Sequence, residues 1–362
     1  MSSIAALVSQ LIRPEILALN AYHVPESVGY IKLDAMENPY LIPQALRAEI
    51  AASVSLAAIN RYPDPNPQCL KQKIRTLLQL PREMHVLLGN GSDELIQLLL
   101  MALNKPGVTI LSVEPSFVMY KMVATFLGVR YVGVPLAKNF ALDMDAMLAA
   151  IARDKPSLIF LAYPNNPTGN AFSTNDIKRI IAAAPGLVVV DEAYYAFAEE
   201  SFVPYLPEYP NLLVMRTFSK LGMAGLRLGY LVGNSIWLDE LEKLRLPYNV
   251  GVLPQLVAEL LLDHHEVLLA QANQIKVDRS TLQQQLSEIG GVTVYPSSAN
   301  FLLLHVARAK EIFDGLKLRG VLIKNLHGSH VMLQNCLRVT IGAPEENAKF
   351  LSAFKETITQ LA

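Results

Sequence analysis

Between residues 86 and 230 of this 362-residue chain, short, mostly apolar runs alternate with stretches whose apolar residues recur every three or four positions. The runs at 86–88, 108–113, 130–134, 157–162, 187–190 and 212–215 are too short for helices, and they predict buried strands. The stretches between them, including 92–102, 144–153 and 174–184, predict amphipathic helices. Buried strands alternating with helices predict an α/β fold with a mostly parallel sheet covered on both faces. Past Tyr230 the rhythm changes to helical stretches at 235–245 and 252–289. Short strands follow at 292–295, 301–305, 321–323 and 337–341, with a helix near 309–319 and a last one after Pro344. That mixture predicts a second, smaller α+β layer. Near the start, Ile4, Leu7, Val8, Leu11 and Ile12 share one helical face, which needs covering by its own domain or by a second subunit.

Composition narrows the class. Hydrophobic residues make up 52% and charged residues 17%, the balance of a packed globular chain rather than a disordered one. The length is enough for two domains. A net charge of −1 with no basic block argues against nucleic-acid binding. Cys69 and Cys336 lack metal-ligand spacing, so no metal is expected and a reducing cytoplasm fits. No apolar run reaches membrane-spanning length, and the N-terminal stretch lacks a signal-peptide pattern.

Ligands of mostly parallel sheets lie beyond the C-terminal ends of the strands. Three successive predicted strands deliver Asn166, Asp191 and Lys220 at those ends, and neighbouring strands would bring the three together. Lys220 is followed by Gly222, Gly225, Arg227 and Gly229. Two readings fit these cations. They snorkel from a strand-end loop, or the lysine condenses with a phosphorylated aldehyde while the arginine holds its phosphate. Gly89-Asn90-Gly91-Ser92-Asp93 reads as strand, glycine turn and helix start. Ser92 is the expected helix cap there, and the free N–H groups also suit a phosphate. Asp93 and Glu94 complement the helix dipole but oppose a phosphate unless they turn away. The proline-rich loop 61–67 presents Tyr62, either as a plain connection or as a reach across an interface.

The motifs Tyr163-Pro164-Asn165-Asn166-Pro167-Thr168-Gly169, Asp191-Glu192-Ala193-Tyr194 and Ser219-Lys220 with Arg227, in that order and spacing, resemble the fold-type I, pyridoxal-phosphate-dependent aminotransferases. The resemblance runs from Tyr22 to the C-terminus. It implies an N-terminal arm with part of a small domain at 1–42, a large cofactor-binding domain at 43–260 and a small α+β domain at 261–362. It also implies roles. Lys220 bonds the aldehyde carbon of pyridoxal 5'-phosphate and later moves a proton as general base and acid. Asp191 grips the protonated ring nitrogen through a charge-assisted bond. Asn166 and Tyr194 reach the ring hydroxyl, and Phe117 stacks on the ring. Ser92, Asp93, Ser219 and Arg227 surround the phosphate, and Tyr62 reaches it from a neighbouring subunit, which implies a homodimer. For Phe117 and Ser92, ordinary core and cap roles remain open.

Within that superfamily, Tyr22, Glu37-Asn38-Pro39-Tyr40, Arg61-Tyr62-Pro63, Gly91-Ser92-Asp93-Glu94 and Cys336-Leu337-Arg338-Val339-Thr340-Ile341-Gly342 are similar to the histidinol-phosphate aminotransferases. That resemblance implies small-molecule substrates, L-histidinol phosphate and 2-oxoglutarate, with glutamate as a product. It places Tyr22, Asn166, Lys324 and Arg338 at the substrate, Arg338 meeting its anionic end. Lys324 stands where the family often has arginine; it keeps the charge and loses the bidentate fork, and it also fits a solvated surface lysine. Three further departures are Asp34-Ala35-Met36 in place of an Asn-rich segment, Phe117 where tyrosine is common, and a Lys220–Arg227 loop one residue shorter than in some members. The alternatives are an aromatic amino acid aminotransferase, a decarboxylase of phosphorylated threonine on the same fold, and a sensor attached to a DNA-binding module. No helix-turn-helix or basic segment supports the last.

Overall fold

The computed structural model describes residues 4–21 and 24–361. Among these the strands are β1 Ile31–Lys32, β2 Met84–Gly89, β3 Thr109–Glu114, β4 Arg130–Pro135, β5 Leu158–Ala162, β6 Leu187–Asp191 and β7 Leu212–Thr217. They continue with β8 Gly229–Asn234, β9 Val292–Val294, β10 Phe301–Val306, β11 Val321–Leu322, β12 Lys324–Asn325 and β13 Cys336–Thr340. The large sheet runs β2-β8-β7-β6-β5-β3-β4. From β7 through β4 every pair is parallel. Every residue of β5, β6 and β7 is buried, which accounts for the unbroken apolar runs there. Because these three strands are neighbours, their C-terminal ends do share one edge.

β8 departs from the pattern. The sequence reading assigns no strand ahead of the helix expected at 235–245. A strand runs from Gly229 to Asn234, antiparallel to both β7 and β2, and the helix follows at Ser235–Glu242. A parallel return needs a crossover of a dozen or more residues, usually helical. The stretch between Thr217 and Gly229 is filled instead by two short 3-10 turns, Ser219–Leu221 and Ala224–Leu226, so β8 doubles back. The helix expected over 252–289 is two helices, Val252–Asp263 and His265–Ser287. They break at His264, whose backbone (φ −114°, ψ 31°) leaves the helical region.

A smaller antiparallel sheet, β12-β13-β10-β9, lies over the C-terminal part of the chain. The N-terminal segment is tied to it. β1 pairs in parallel with β11, the Met36 amide donates to Thr340 Oγ1 (3.0 Å), and Asn300 Nδ2 donates to the Met36 carbonyl (2.9 Å). Further along, Asn38 Nδ2 donates to Gln271 Oε1 (2.9 Å) and the Tyr40 hydroxyl donates to Asp278 Oδ2 (2.5 Å). Residues 31–40 therefore form a strap anchored at both ends, and it crosses the rim where Lys220 emerges. Helix Ile4–Leu11 is exposed along its whole length. Among the described residues, no helix is long and apolar enough to cross a membrane.

Candidate active site

Beyond the ends of β5, β6 and β7 lies a cavity of about 350 Å³. Asp191 closes β6 and faces it. Successive residues of an extended strand point to opposite sides, so Glu192 turns away into a buried ion pair with Arg216 (2.8 Å). Asp191 is itself buried. Its Oδ2 accepts from the Tyr120 hydroxyl (2.6 Å) and its Oδ1 from the Ala193 amide (3.0 Å). Burial pushes its pKa up to about 6, and the two donors pull the other way.

Lys220 sits in the 3-10 turn after β7, its Nζ donating to the Ala35 carbonyl of the strap (3.0 Å). Burial, with the Arg338 charge second, brings its pKa down to about 8. Asn166 Nδ2 donates to the Tyr194 hydroxyl (3.1 Å), while its Oδ1 accepts from Arg338 Nη1 (2.5 Å). Burial pushes the Tyr194 hydroxyl upward, so it stays protonated near neutral pH. Phe117 lines the wall and meets the Tyr120 ring edge-on, centroids 5.5 Å apart.

At the other end, helix Ser92–Leu103 points its N-terminus at the cavity. The expected cap is corrected here: Gly91 takes the N-cap position and Ser92 is the first helical residue. Glu94 performs the capping contact instead, accepting from the Asn90 amide (2.6 Å) and from Asn249 Nδ2 (2.7 Å). That draws its charge away from the cavity. Asp93 pairs loosely with Arg227 (3.7 Å), and Arg227 Nη1 donates to Ser219 Oγ at 3.4 Å. Gly91 makes this convergence possible. Its φ of +81° with ψ of 168° is a glycine-only conformation, and a Cβ there would stand 2.7 Å from Arg227 Nη2. Gly91→Ala is expected to lower stability by about 1–3 kcal/mol in urea unfolding, the usual cost of such backbone strain.

Ser92, Asp93, Phe117, Asn166, Asp191, Tyr194, Ser219, Lys220 and Arg227 thus line one cavity. Three expected site residues stand apart from it. Tyr62 is 80% exposed and stacks on Tyr248 at 4.4 Å. Arg338 is buried behind Asn166, also donating to the Asp34 carbonyl (3.0 Å). Lys324 lies opposite Arg338 in the β12–β13 register and is partly buried; burial, with Arg338 second, holds its pKa below the usual lysine range. Tyr22 lies outside the described residues.

Residues 28–354 match the family described as aminotransferase class I and II. The chain belongs to the class I and II aminotransferases. This aminotransferase is 51% identical over 358 residues to "Histidinol-phosphate aminotransferase 2" of Cupriavidus pinatubonensis, covering 98% of each chain. Among solved structures it resembles histidinol-phosphate aminotransferase from Sinorhizobium meliloti in complex with pyridoxal-5'-phosphate. That match has a TM-score of 0.88 at 24% identity and covers 97% of this chain and 98% of the other. It also resembles L-threonine-O-3-phosphate decarboxylase from Porphyromonas gingivalis, with a TM-score of 0.78 at 20% identity over 91% and 99% of the two chains. At these identities the structural likenesses speak to the fold.

The cavity of the aminotransferase fits the family's cofactor on its own geometry. One end is a cradle that a single Cβ at Gly91 would fill, ringed by helix amides and a guanidinium. The other end holds a buried carboxylate and a buried tyrosine hydroxyl, with the lysine amine on the rim. Two contributors were missed from sequence. Tyr120 looks like any core tyrosine in a helix, though its place three residues after Phe117 puts it on the adjoining face. The Ala35 carbonyl meets Lys220 only through a contact spanning 185 residues, which no local pattern signals.

Proposed function

We propose that this chain transfers an amino group between L-histidinol phosphate and 2-oxoglutarate, using pyridoxal 5'-phosphate. The reaction class rests on Asp191 and Lys220 facing one cavity with oppositely perturbed acidities. The substrate rests on the relative from Cupriavidus pinatubonensis and its printed name.

Bound in the cavity, pyridoxal phosphate supplies an aldehyde that captures amines and a ring that draws electrons from the carbon next to nitrogen. The protein supplies the rest. Asp191 holds a proton on the ring nitrogen, and Tyr194 and Asn166 offer hydrogen bonds to a ring oxygen. The helix amides at Ser92 and Asp93, with Arg227 and Ser219, receive the phosphate. Lys220 Nζ, lowered toward neutrality, takes the substrate's α-proton and returns it. Arg338 and Lys324, opposed in register, meet the anionic end of either substrate. Exposed Tyr62 reaches the phosphate of a second copy, and the apolar face of helix Ile4–Leu11 covers part of the same homodimer interface. The enzyme works in the cytoplasm.

Purified enzyme loaded with cofactor and given histidinol phosphate alone is expected to shift the cofactor's absorption band in one turnover, with 2-oxoglutarate shifting it back. A shift with aromatic amino acids but none with histidinol phosphate would reassign the substrate. Carbon dioxide release from threonine phosphate without a keto acid would reassign the reaction. Lys324→Ala is expected to reduce kcat/KM for histidinol phosphate by about 10-fold to 100-fold, since a hydrogen-bonded charge contributes about 1.5–3 kcal/mol. Glutamate, with a smaller anionic charge at that end, should lose less. Equal losses in steady-state kinetics would make Lys324 a bystander.

A further inference from the structure

We infer that Tyr120 is a positioning residue that keeps the Asp191 carboxylate ionised and fixed in its plane before any cofactor arrives. The inference rests on the proposed reading of the cavity as a pyridoxal-phosphate site and adds a residue to it.

Tyr120 sits in helix Val118–Leu127, on the flank of the large sheet, and is fully buried. Its ring is clamped. It stacks on Phe160 of β5 with centroids 4.5 Å apart and planes 2° from parallel, and it meets Phe117 edge-on. That leaves the hydroxyl little freedom, and it donates to Asp191 Oδ2 at 2.6 Å. The Ala193 amide holds Oδ1 from the opposite side. One donor per oxygen sets the plane of the carboxylate. Burial raises the Tyr120 hydroxyl well above its usual range, so it remains a donor at any working pH.

The electrostatic surroundings give the contact a function. Asp93 at the helix N-terminus and Glu192, the residue directly after β6, both bear on Asp191 with like charge, and burial adds to them. All three favour a protonated, neutral Asp191. Against them stand the Tyr120 hydroxyl and the Ala193 amide, the two donors that hold Asp191, while the Tyr194 hydroxyl accepts from Asn166 Nδ2. A neutral Asp191 must lose its proton before it can accept a hydrogen bond from a cationic ring nitrogen, so cofactor capture would weaken as pH falls. The Tyr120 hydroxyl moves that weakening to lower pH. A hydroxyl that bonds the anion in both the empty and the loaded site leaves affinity unchanged where Asp191 is already ionised.

Tyr120→Phe keeps the ring contacts and removes the donor. The test is the dissociation constant of pyridoxal phosphate from apoenzyme, by equilibrium dialysis from pH 5.5 to 9, with the carboxylic C=O infrared band of apoenzyme as a second readout. In the variant the acid-side loss of affinity is expected to move up by about one pH unit. This corresponds to about tenfold weaker binding on the acid side, since one pKa unit is one decade. Above pH 8.5 affinity should match wild type within about twofold, and the infrared band should persist to higher pH than in wild type. Equal weakening at every pH, or an unchanged infrared titration, would mean Tyr120 only packs and would overturn the inference. If wild-type apoenzyme takes up no pyridoxal phosphate, the proposed function fails and the inference with it. If wild type binds and Tyr120→Phe is indistinguishable from it, the inference alone fails.

Discussion

Lys220→Ala is expected to abolish turnover, with kcat falling by at least about 10⁴-fold, while the fold survives. Two losses combine. The substrate's α-proton no longer has a base, and a positioned general base alone contributes about 10²–10⁴-fold. The cofactor also loses its covalent tether. Wild-type Lys220 is suited to the work because its acidity is perturbed. With a pKa brought down to about 8, roughly one amine in ten is neutral at pH 7. For an unperturbed lysine the fraction is lower by about two hundredfold. The fold should tolerate the change. The contact that breaks is a hydrogen bond to the Ala35 carbonyl, on a strap that other bonds anchor on both sides. A buried ammonium also costs stability below its folded pKa, so its removal partly offsets the lost packing. The checks are single-turnover kinetics, a thermal melt, and addition of a small primary amine. Rescue by that amine is expected to be partial, because a free amine supplies the base but not the tether. Turnover within tenfold of wild type would remove Lys220 from the mechanism.

The central sheet was legible in the sequence because parallel strands buried on both faces leave continuous apolar runs, as at residues 158–162 and 187–190. Asp191 and Lys220 were legible for a related reason, since polar residues directly after such runs have few structural uses. β8 was not. Its glycines at 229 and 233 dilute the apolar run, and its direction depends on the connection before it being too short for a helix. The Ser92 cap failed because a longer side chain was available. Glu94 reaches back to the Asn90 amide and frees Gly91 to adopt the backbone that brings Arg227 close. The strap over Lys220 was least legible. It is held by single side chains, Asn38, Tyr40, Thr340 and Asn300, whose partners lie in distant parts of the chain.

The strap bears on the cationic end of the site. Its Asp34 carbonyl accepts from Arg338, its Ala35 carbonyl accepts from Lys220, and its Glu37 pairs with Lys32. Residues 35–37 line the cavity, and Asp34 next to them ties the strap to Arg338. The Asp34-Ala35-Met36 departure from the Asn-rich segment of related enzymes falls at this point. Here the backbone carbonyls of Ala35 and Asp34 face the lysine and the arginine. Met36 takes a φ of +54°, uncommon for a residue with a side chain, and bonds on both sides of it hold that turn in place.

The second large effect concerns Asp191→Asn, a change of nearly equal size that removes the charge. The rate with histidinol phosphate is expected to fall by about 10²–10³-fold, the scale found when a buried group aimed at developing charge is lost. A neutral amide cannot keep a proton on a ring nitrogen, so the ring draws electrons less strongly. Stability should respond in the opposite sense. Burial holds the Asp191 pKa at about 6 in the fold, against about 4 in an unfolded chain. Between those values the folded protein binds more protons than the unfolded chain, so apoenzyme stability falls as pH rises from 4 to 6 and then levels. The cost at neutral pH is of order 3 kcal/mol. Asparagine does not titrate, so the variant's melting temperature should gain on wild type as pH rises through this window and hold the gain above it. Part of the gain is lost because Tyr120 must then face an amide instead of a carboxylate, but that loss does not depend on pH. Melting curves of both apoenzymes at pH 4, 5, 6 and 7 measure the difference directly. A constant gap across the series would mean Asp191 is not under strain in the empty site. The residue would then be an ordinary surface-like acid, and its role as the anchor of the ring would lose its physical basis.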